Sequence, residues 1–577
     1  MKGKIAVFLV FPTKYLLKYL FHYILYFVVK LFSLFLLVFQ PFIWAYVLQD
    51  IYSPDKSFLM DHIYLFAAIE FAQVSIFFIS DLLQNKLDFG MITDIKAMMI
   101  RAIIDFKMSV INKAKVGEFV SKFHSDVVTV VEFWNTHFPS FVIESLKMIV
   151  MSLVIAFVDF RLFLLIVLIM FVFAFVFAKY GKEIQKRYYE FRKVADIYFS
   201  NMHETMNNIR EIKNLGIKKK AVNRSCDIFE QIRKGEMNCG NLGASSQFVT
   251  DAINTLLLLV VLLYSARLVI NGDMTAVKFV VFFSYVSRFS TSVKDISRIN
   301  TKLQQGRVCF ERIEGILFDA DNFEEHFNAS IDISDTDINK IEFKNVSFSY
   351  DKDIDVLRHI SFSIEGNSIL AIVGPSGNGK STLLNLLSRL YADYNGEIIF
   401  NSTEIREISE NSYRNCVSRV FQEPLLFNMS IMNNLTITDD HIPMDKVIDV
   451  CKSVGIHSFI ESLPQGYDTI VNENSNNLSV GQKQRIAIAR SLLTNAKVLL
   501  FDEITSALDN ETQEIVLKMI EENRSNHIFV VVSHKISNII SSDKIIVLDM
   551  GKIVGVGKHE GLLKNCKIYK TLYSMEE

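Results

Sequence analysis

Ser368-Ile369-Leu370-Ala371-Ile372-Val373 runs straight into Gly374-Pro375-Ser376-Gly377-Asn378-Gly379-Lys380-Ser381-Thr382 and then Leu383-Leu384-Asn385. The first six residues are a short apolar run bounded by glycines, the pattern of a strand buried on both faces. The next nine are a glycine-rich loop, and the leucines open a helix. Gly374, four residues, then Gly379-Lys380-Ser381 is the spacing of a phosphate-binding loop in its required strand–loop–helix context. Glycines let backbone N–H groups close around phosphate oxygens, and the helix N-terminus adds positive potential. Lys380 is expected to reach the β- and γ-phosphates of ATP, and Ser381 to offer its hydroxyl to Mg²⁺. Gly374, Ser376, Gly377, Asn378, Gly379 and Thr382 complete the expected cradle.

A second apolar run, Val498-Leu499-Leu500-Phe501, ends in Asp502-Glu503. An acid at the C-terminal end of a parallel strand sits beside the phosphate loop, so Asp502 is expected to hold Mg²⁺ through water. Glu503 then stands where a general base can polarise the attacking water.

Between these strands lies Leu478-Ser479-Val480-Gly481-Gln482-Lys483-Gln484-Arg485. It resembles the signature of the ATP-binding cassette (ABC) transporters, usually Leu-Ser-Gly-Gly-Gln. Further marks follow the family order. Phe421-Gln422 resembles the Q-loop, Ser506-Ala507-Leu508-Asp509 the D-loop, and His534, after Ile528–Val532, the switch histidine. Tyr350 resembles the aromatic that stacks on adenine. The resemblance implies catalytic roles for Glu503, His534 and Gln422, with Gln422 also near the metal. It implies nucleotide contacts from Ser479, Gly481, Gln482 and Asp509. Val480 and Asn472 depart from the family pattern, each standing where a glycine is common; Ser479 and Gly481 keep the residues that should face the γ-phosphate.

The first half has a different character. The chain has 577 residues, half of them hydrophobic, and a mean hydropathy of +0.26. The apolar residues concentrate before about residue 292. A bilayer core needs about 20 mostly apolar residues per helix. Six stretches meet this: Val29–Leu48, Phe58–Phe77, Pro139–Val158, Arg161–Tyr180, Asp251–Ile270 and Thr275–Lys294. The apolar stretch from Tyr15 is too long for one span, and its early part, with Lys14, Lys18 and His22, is expected at the surface or in the cytosol. The links Gln49–Ser57, Asp159–Phe160 and Asn271–Met274 are short. Segments 78–138 and 181–250 are long, polar and rich in Lys and Arg, which points them to the cytosol. They are expected to be pairs of helical arms turning back near Gly117 and Gly216. An even span count puts both termini on the cytosolic side.

This half resembles the exporter type of the same family. Val116-Gly117-Glu118-Phe119-Val120-Ser121-Lys122-Phe123 with Asp126 looks like its first intracellular turn. Glu204 with Asn208-Ile209-Arg210-Glu211-Ile212-Lys213-Asn214-Leu215-Gly216 looks like the second, and Glu473 like the acidic loop that meets them. The expected architecture is an all-α transmembrane domain of six long helices over 1–318, a linker at 319–340 and an α/β P-loop nucleotide-binding domain over 341–577.

One phosphate loop and one signature per chain imply a dimer, favoured as a homodimer with a heterodimer possible, in which each signature completes the partner's site. The resemblance implies an ATP-hydrolysing exporter working by alternating access in a lipid bilayer, a bacterial inner membrane. The expected cargo is a small peptide or an amphipathic or hydrophobic compound. A lipid flippase or multidrug exporter on the same frame is the alternative, and an ATP-gated channel or regulator the rival class. Charged residues inside spans are functional candidates by default: Glu70, Glu144, Lys147 and Arg288.

Composition narrows the rest. The net charge of −2 gives no reason to expect a nucleic-acid partner, and the six spans exclude a soluble mechanical ATPase of DNA repair. Six scattered cysteines read as free thiols facing a reducing cytosol. Ile5 to Phe11 is too short for a signal peptide and stops at Pro12. The chain is expected to start too close to its first span to carry a leader-cleaving peptidase domain.

Overall fold

The computed structural model describes residues 2–576 apart from 55, 320–330, 334–336, 351–353, 440, 473–477, 495 and 507. Side chains are described from residue 18 onward, without those of 158, 162, 165 and 169. Two compact units emerge. One comprises Met1–Phe106 and Ile111–Asn322, the other Lys107–Val110 and Phe323–Glu577.

Among the described residues the first unit is built on six long helices. They are α1 (Lys2–Tyr52), α2 (Leu59–Ile104), α3 (Val116–Phe157), α4 (Phe160–Asn207), α5 (Lys218–Ile270) and α6 (Ala276–Leu317). The 53 residues of α5 rise about 80 Å at 1.5 Å each, against a hydrocarbon core of about 30 Å. A helix of that length can continue well beyond a bilayer. Within the described residues, the part of α1 from Lys18 and all of α2, α3 and α5 are long and apolar enough to cross a membrane. In α6, Lys278, Arg288 and the hydroxyls of Ser284, Ser287, Ser290, Thr291 and Ser292 dilute the apolar run. Apolar side chains such as Phe71 (76% exposed), Leu263 (71%) and Phe157 (90%) point outward, as a lipid-facing surface requires.

The first reversal falls next to Gly117, as the sequence suggests. The chain reverses between Ile104 and Val116, and Gly117 lies inside the first turn of α3. A Cβ there would lie 2.3 Å from the backbone nitrogen of Ser200, so the glycine allows α3 and α4 to touch. The second reversal is where expected, between Asn214 and Lys218. α3 also contains two widened π-type turns, Lys122–Asp126 and Phe133–His137.

The first π turn delivers Asp126 into a buried ion cluster. Asp126 is fully buried, and Arg312 of α6 donates to its Oδ2 at 2.6 Å. Arg312 also forks onto both oxygens of Asp196 in α4 at 2.6 and 2.8 Å. Arg192 Nε lies 3.4 Å from Asp126 Oδ1. Burial pushes the Asp126 carboxyl up while the two guanidiniums pull it down. α3, α4 and α6 are thereby pinned together by charge rather than by apolar packing alone.

Among the charged residues of the spans, Glu144 and Lys147 pair one turn apart at 3.0 Å. Arg288 donates to the Leu37 carbonyl at 3.2 Å and to Gln40, which in turn donates to Glu70. α1, α2 and α6 are thus joined by one polar relay.

The second unit holds two sheets. Strands β1 (Lys340–Phe348), β2 (Leu357–Glu365), β4 (Asn395–Phe400) and β5 (Thr403–Glu404) form an antiparallel sheet in the order β2-β1-β4-β5. β3 (Ile369–Val373), β6 (Val417–Val420), β7 (Val498–Asp502), β8 (Ile528–Val532), β9 (Lys544–Asp549) and β10 (Lys552–Gly557) form the other. Its order is β10-β9-β3-β8-β7-β6, parallel except for the edge strand β10. Helices α7 (Lys380–Leu387) and α8 (Val480–Leu493) belong to this unit.

Side chains alternate across a strand, so each face of the large sheet feeds its own core. Ile369, Ala371, Val373, Leu499 and Phe501 enter one cluster, and Leu370, Ile372, Val498 and Leu500 the other. All five residues of β3, β7 and β8 are buried, which explains why they read as continuous apolar runs. Register then places the chemistry. Val532 pairs with Ile372 on one side and with Asp502 on the other. The residues that follow β3, β7 and β8 therefore emerge side by side along the carboxyl rim of the sheet.

Candidate nucleotide site

That rim is where ligands bind in open α/β sheets. The phosphate-type loop leaves β3 and turns into α7 through Gly379 (φ +94). A Cβ at Gly379 would lie 2.7 Å from Leu357, so both backbone angle and space demand glycine. Ser376 and Gly377 are exposed at the loop tip, and Asn378 anchors the loop by donating to Asp549 at 2.9 Å. Lys380 is buried and donates to the carbonyls of Gly374 and Pro375 at 2.9 and 3.0 Å. Burial lowers the pKa of its ammonium, which Glu503 and Asp502 partly restore.

Asp502 ends β7, 5% exposed, and accepts from Ser381 Oγ at 3.3 Å through Oδ1. A hydroxyl and a carboxylate side by side are the hard oxygen donors that Mg²⁺ takes alongside substrate phosphates. Glu503 follows with φ +52, an uncommon backbone state for a residue with a side chain. The kink aims its carboxylate along the rim, where His534 Nε2 lies 2.5 Å from Oε1 and Gln422 Nε2 donates to Oε2 at 2.7 Å. Two residues far apart in sequence, Gln422 and His534, thus converge on one carboxylate.

Tyr350 is half-exposed with its ring against Phe348 and Tyr391. Its hydroxyl donates to Thr382 at 3.1 Å, which ties the aromatic to the loop–helix junction. Ser479 caps α8 by accepting from the Gln482 amide at 3.2 Å, while its own N–H donates to Gln482 Oε1 at 2.8 Å. Ser479 and Val480 are exposed, Gly481 and Gln482 half-buried, so the signature presents a helix N-terminus to the surroundings. Asp509 is exposed at the start of the helix Asn510–Asn523, and the Thr512 hydroxyl holds its carboxyl below the usual range. Ala507 and Glu473 lie outside the described residues.

Sequence reading missed Arg419 and Asn385. Arg419 sits on β6 and donates to Asp502 Oδ2 at 2.8 Å. Asn385 on α7 accepts from Arg419 at 2.7 Å and donates to the Tyr350 hydroxyl at 2.8 Å. The available signal was a charged residue inside the run Val417-Ser418-Arg419-Val420, which otherwise reads as buried strand.

The family model described as ABC transporter transmembrane region matches residues 23–293, and the one described as ABC transporter matches residues 357–506. The ATP-dependent lipid A-core flippase of Desulfotalea psychrophila is 30% identical over 539 residues, 92% of this chain and 93% of that protein. This chain belongs to the ABC transporter family. The protein of the same description from Syntrophus aciditrophicus is 28% identical over 493 residues, covering 84% of this chain and 80% of its own. A solved structure of a bacterial Atm1-family ABC exporter with ATP bound superposes with a TM-score of 0.88 over 97% of this chain and 98% of that one, at 21% identity. That likeness extends the exporter fold over the whole chain.

The ABC transporter therefore carries a helical membrane domain and an ATP-binding cassette in one polypeptide, as exporters of this family do. It is a multi-pass membrane protein and an ATPase coupled to the movement of a substance across the membrane.

Proposed function

We propose that this exporter moves an amphipathic, lipid-like compound out of the cytoplasm by alternating access, as a homodimer in a bacterial inner membrane. The supporting observation for the cargo is an apolar cavity of about 410 Å³ within the helical unit. Phe141, Met148, Met170, Phe173 and Phe177 line it, with Thr250 among the few polar groups. Such a lining suits an acyl chain or a hydrophobic ring system, as pockets of this size usually do. The relatives described as lipid A-core flippases favour a lipid over a peptide.

In this reading six helices span the bilayer at the stretches marked by hydropathy, with both termini cytoplasmic. The helical domain occupies 1–318, a linker 319–340 and the cassette 341–577. Lys380 and the loop from Gly374 to Thr382 bind the ATP phosphates, and Tyr350 stacks on adenine. Ser381, Asp502 and Gln422 would hold Mg²⁺, which when bound neutralises phosphate oxygens. Glu503 accepts the proton of the attacking water, while His534 and Gln422 orient its carboxylate. Ser479, Gly481, Gln482 and Asp509 face the nucleotide of a second copy, so ATP favours the closed pair of cassettes. Moving most of the population between states takes about 5 kcal/mol of differential binding.

The test is transport in proteoliposomes. A fluorescent lipid placed in both leaflets should become unequally accessible to an impermeant quencher when ATP is supplied, and the same lipid should stimulate ATPase activity. Stimulation by short peptides with no lipid movement would overturn the cargo assignment.

A further inference from the structure

Asp502 has a cationic neighbour within the chain. Arg419 reaches Oδ2 at 2.8 Å, leaving Oδ1 to Ser381. The two side chains are 6% and 7% exposed. The guanidinium is fixed from several sides. It donates to Asn385 Oδ1 at 2.7 Å and to Ser388 Oγ at 3.1 Å, and lies 4.5 Å from the centroid of the Phe421 ring. Its Nε is buried without a hydrogen-bond partner. A buried, incompletely satisfied charge is costly, and a hydrophobic residue would fill a strand position more cheaply. Through Asn385 the same group connects to the Tyr350 hydroxyl, so base platform and carboxylate share one hydrogen-bonded chain.

We propose that Arg419, by holding one oxygen of Asp502, weakens the site's attraction for Mg²⁺. This rests on the reading of Asp502 as a Mg²⁺-holding residue. An arginine never gives up its charge under physiological conditions. Its full positive charge on one oxygen of the carboxylate therefore opposes a divalent cation approaching the other. The arrangement sets a higher Mg²⁺ requirement for nucleotide binding than the carboxylate alone would.

The experiment reads metal-dependent binding, not turnover. The full chain in nanodiscs binds a fluorescent, non-hydrolysable ATP analogue while Mg²⁺ is titrated from EDTA. Arg419→Met should lower the Mg²⁺ concentration for half-maximal binding by about fivefold or more. Arg419→Gln should shift it the same way, and Arg419→Lys, which keeps the charge, should stay near wild type. Asp502→Asn is the control for the underlying reading and should weaken the Mg²⁺ dependence, raising the Mg²⁺ concentration for half-maximal binding. If Asp502→Asn does so while folded Arg419→Met and Arg419→Gln both titrate like wild type, the Arg419 proposal is overturned. If Asp502→Asn leaves the dependence intact, the metal assignment of Asp502 fails, and the proposal with it.

Discussion

At Glu503 a single backbone angle sets where a carboxylate points. A residue with a Cβ at φ +52 is strained, yet that kink sends the carboxylate to Gln422 and His534. Glu503→Gln should retain ATP binding and lose hydrolysis by about 10²–10⁴-fold, the usual contribution of a positioned base. A steady-state ATPase assay with a parallel nucleotide-binding measurement checks it; a variant keeping half the wild-type rate removes Glu503 from the role. Lys380→Ala should behave differently. Lys380 is buried against its own loop, so losing it should weaken both nucleotide affinity and hydrolysis, and normal transport by the variant would place the motor elsewhere. The loop around Lys380 and the acidic pair ending β7 stood out in the sequence because each is a short motif of fixed residue type after an apolar strand. Arg419 did not, because its partner Asp502 is 83 residues away and only the strand register brings β6 beside β7. Nor does sequence reveal the strain at Glu503, which appears only once β7 ends against β8.

At the level of elements, the cassette strands were readable because burial on both faces removes polar residues from them. The helices were readable from their length, and the limits came at their ends. Gly117 marked the nearby reversal, but the sequence did not show that its lack of a side chain lets α3 approach α4. The ion cluster at Asp126 was invisible in sequence, since it needs a π turn in α3 and arms from α4 and α6 to converge. It carries a clear expectation. Arg312→Ala strips Asp126 and Asp196 of their shared partner and leaves the fully buried Asp126 with Arg192 as its remaining guanidinium. Breaking a buried pair from one side costs about 3–5 kcal/mol. Thermal unfolding of the purified variant should show a marked loss of stability, while Arg312→Lys should restore part of it. A thermal midpoint equal to wild type would mean the cluster is solvated and contributes little.

For the whole molecule the open question is how one chain with one phosphate loop and one signature becomes a machine. Ser479 stands exposed at the N-terminus of α8, and Ser376 exposed at the tip of the phosphate loop. A head-to-tail pair of cassettes would bring Ser479 of one copy to the loop of the other, with nucleotide between them. Cysteines placed at both positions form a disulfide only if their Cα atoms come within about 7 Å. Cys226 is exposed and Cys239 half-buried, so both should first be replaced. Oxidation with ATP bound in a Glu503→Gln background should then yield a crosslinked dimer. Mixing chains that carry only one cysteine each should give the heterologous product. Val480 belongs to the same test. It is 54% exposed beside Ser479, and if the valine merely narrows the approach to a partner's γ-phosphate, Val480→Gly should preserve or raise ATPase activity and crosslinking yield together. Crosslinks found only within a chain would end the head-to-tail arrangement, and with it the account of how ATP closes the cassettes.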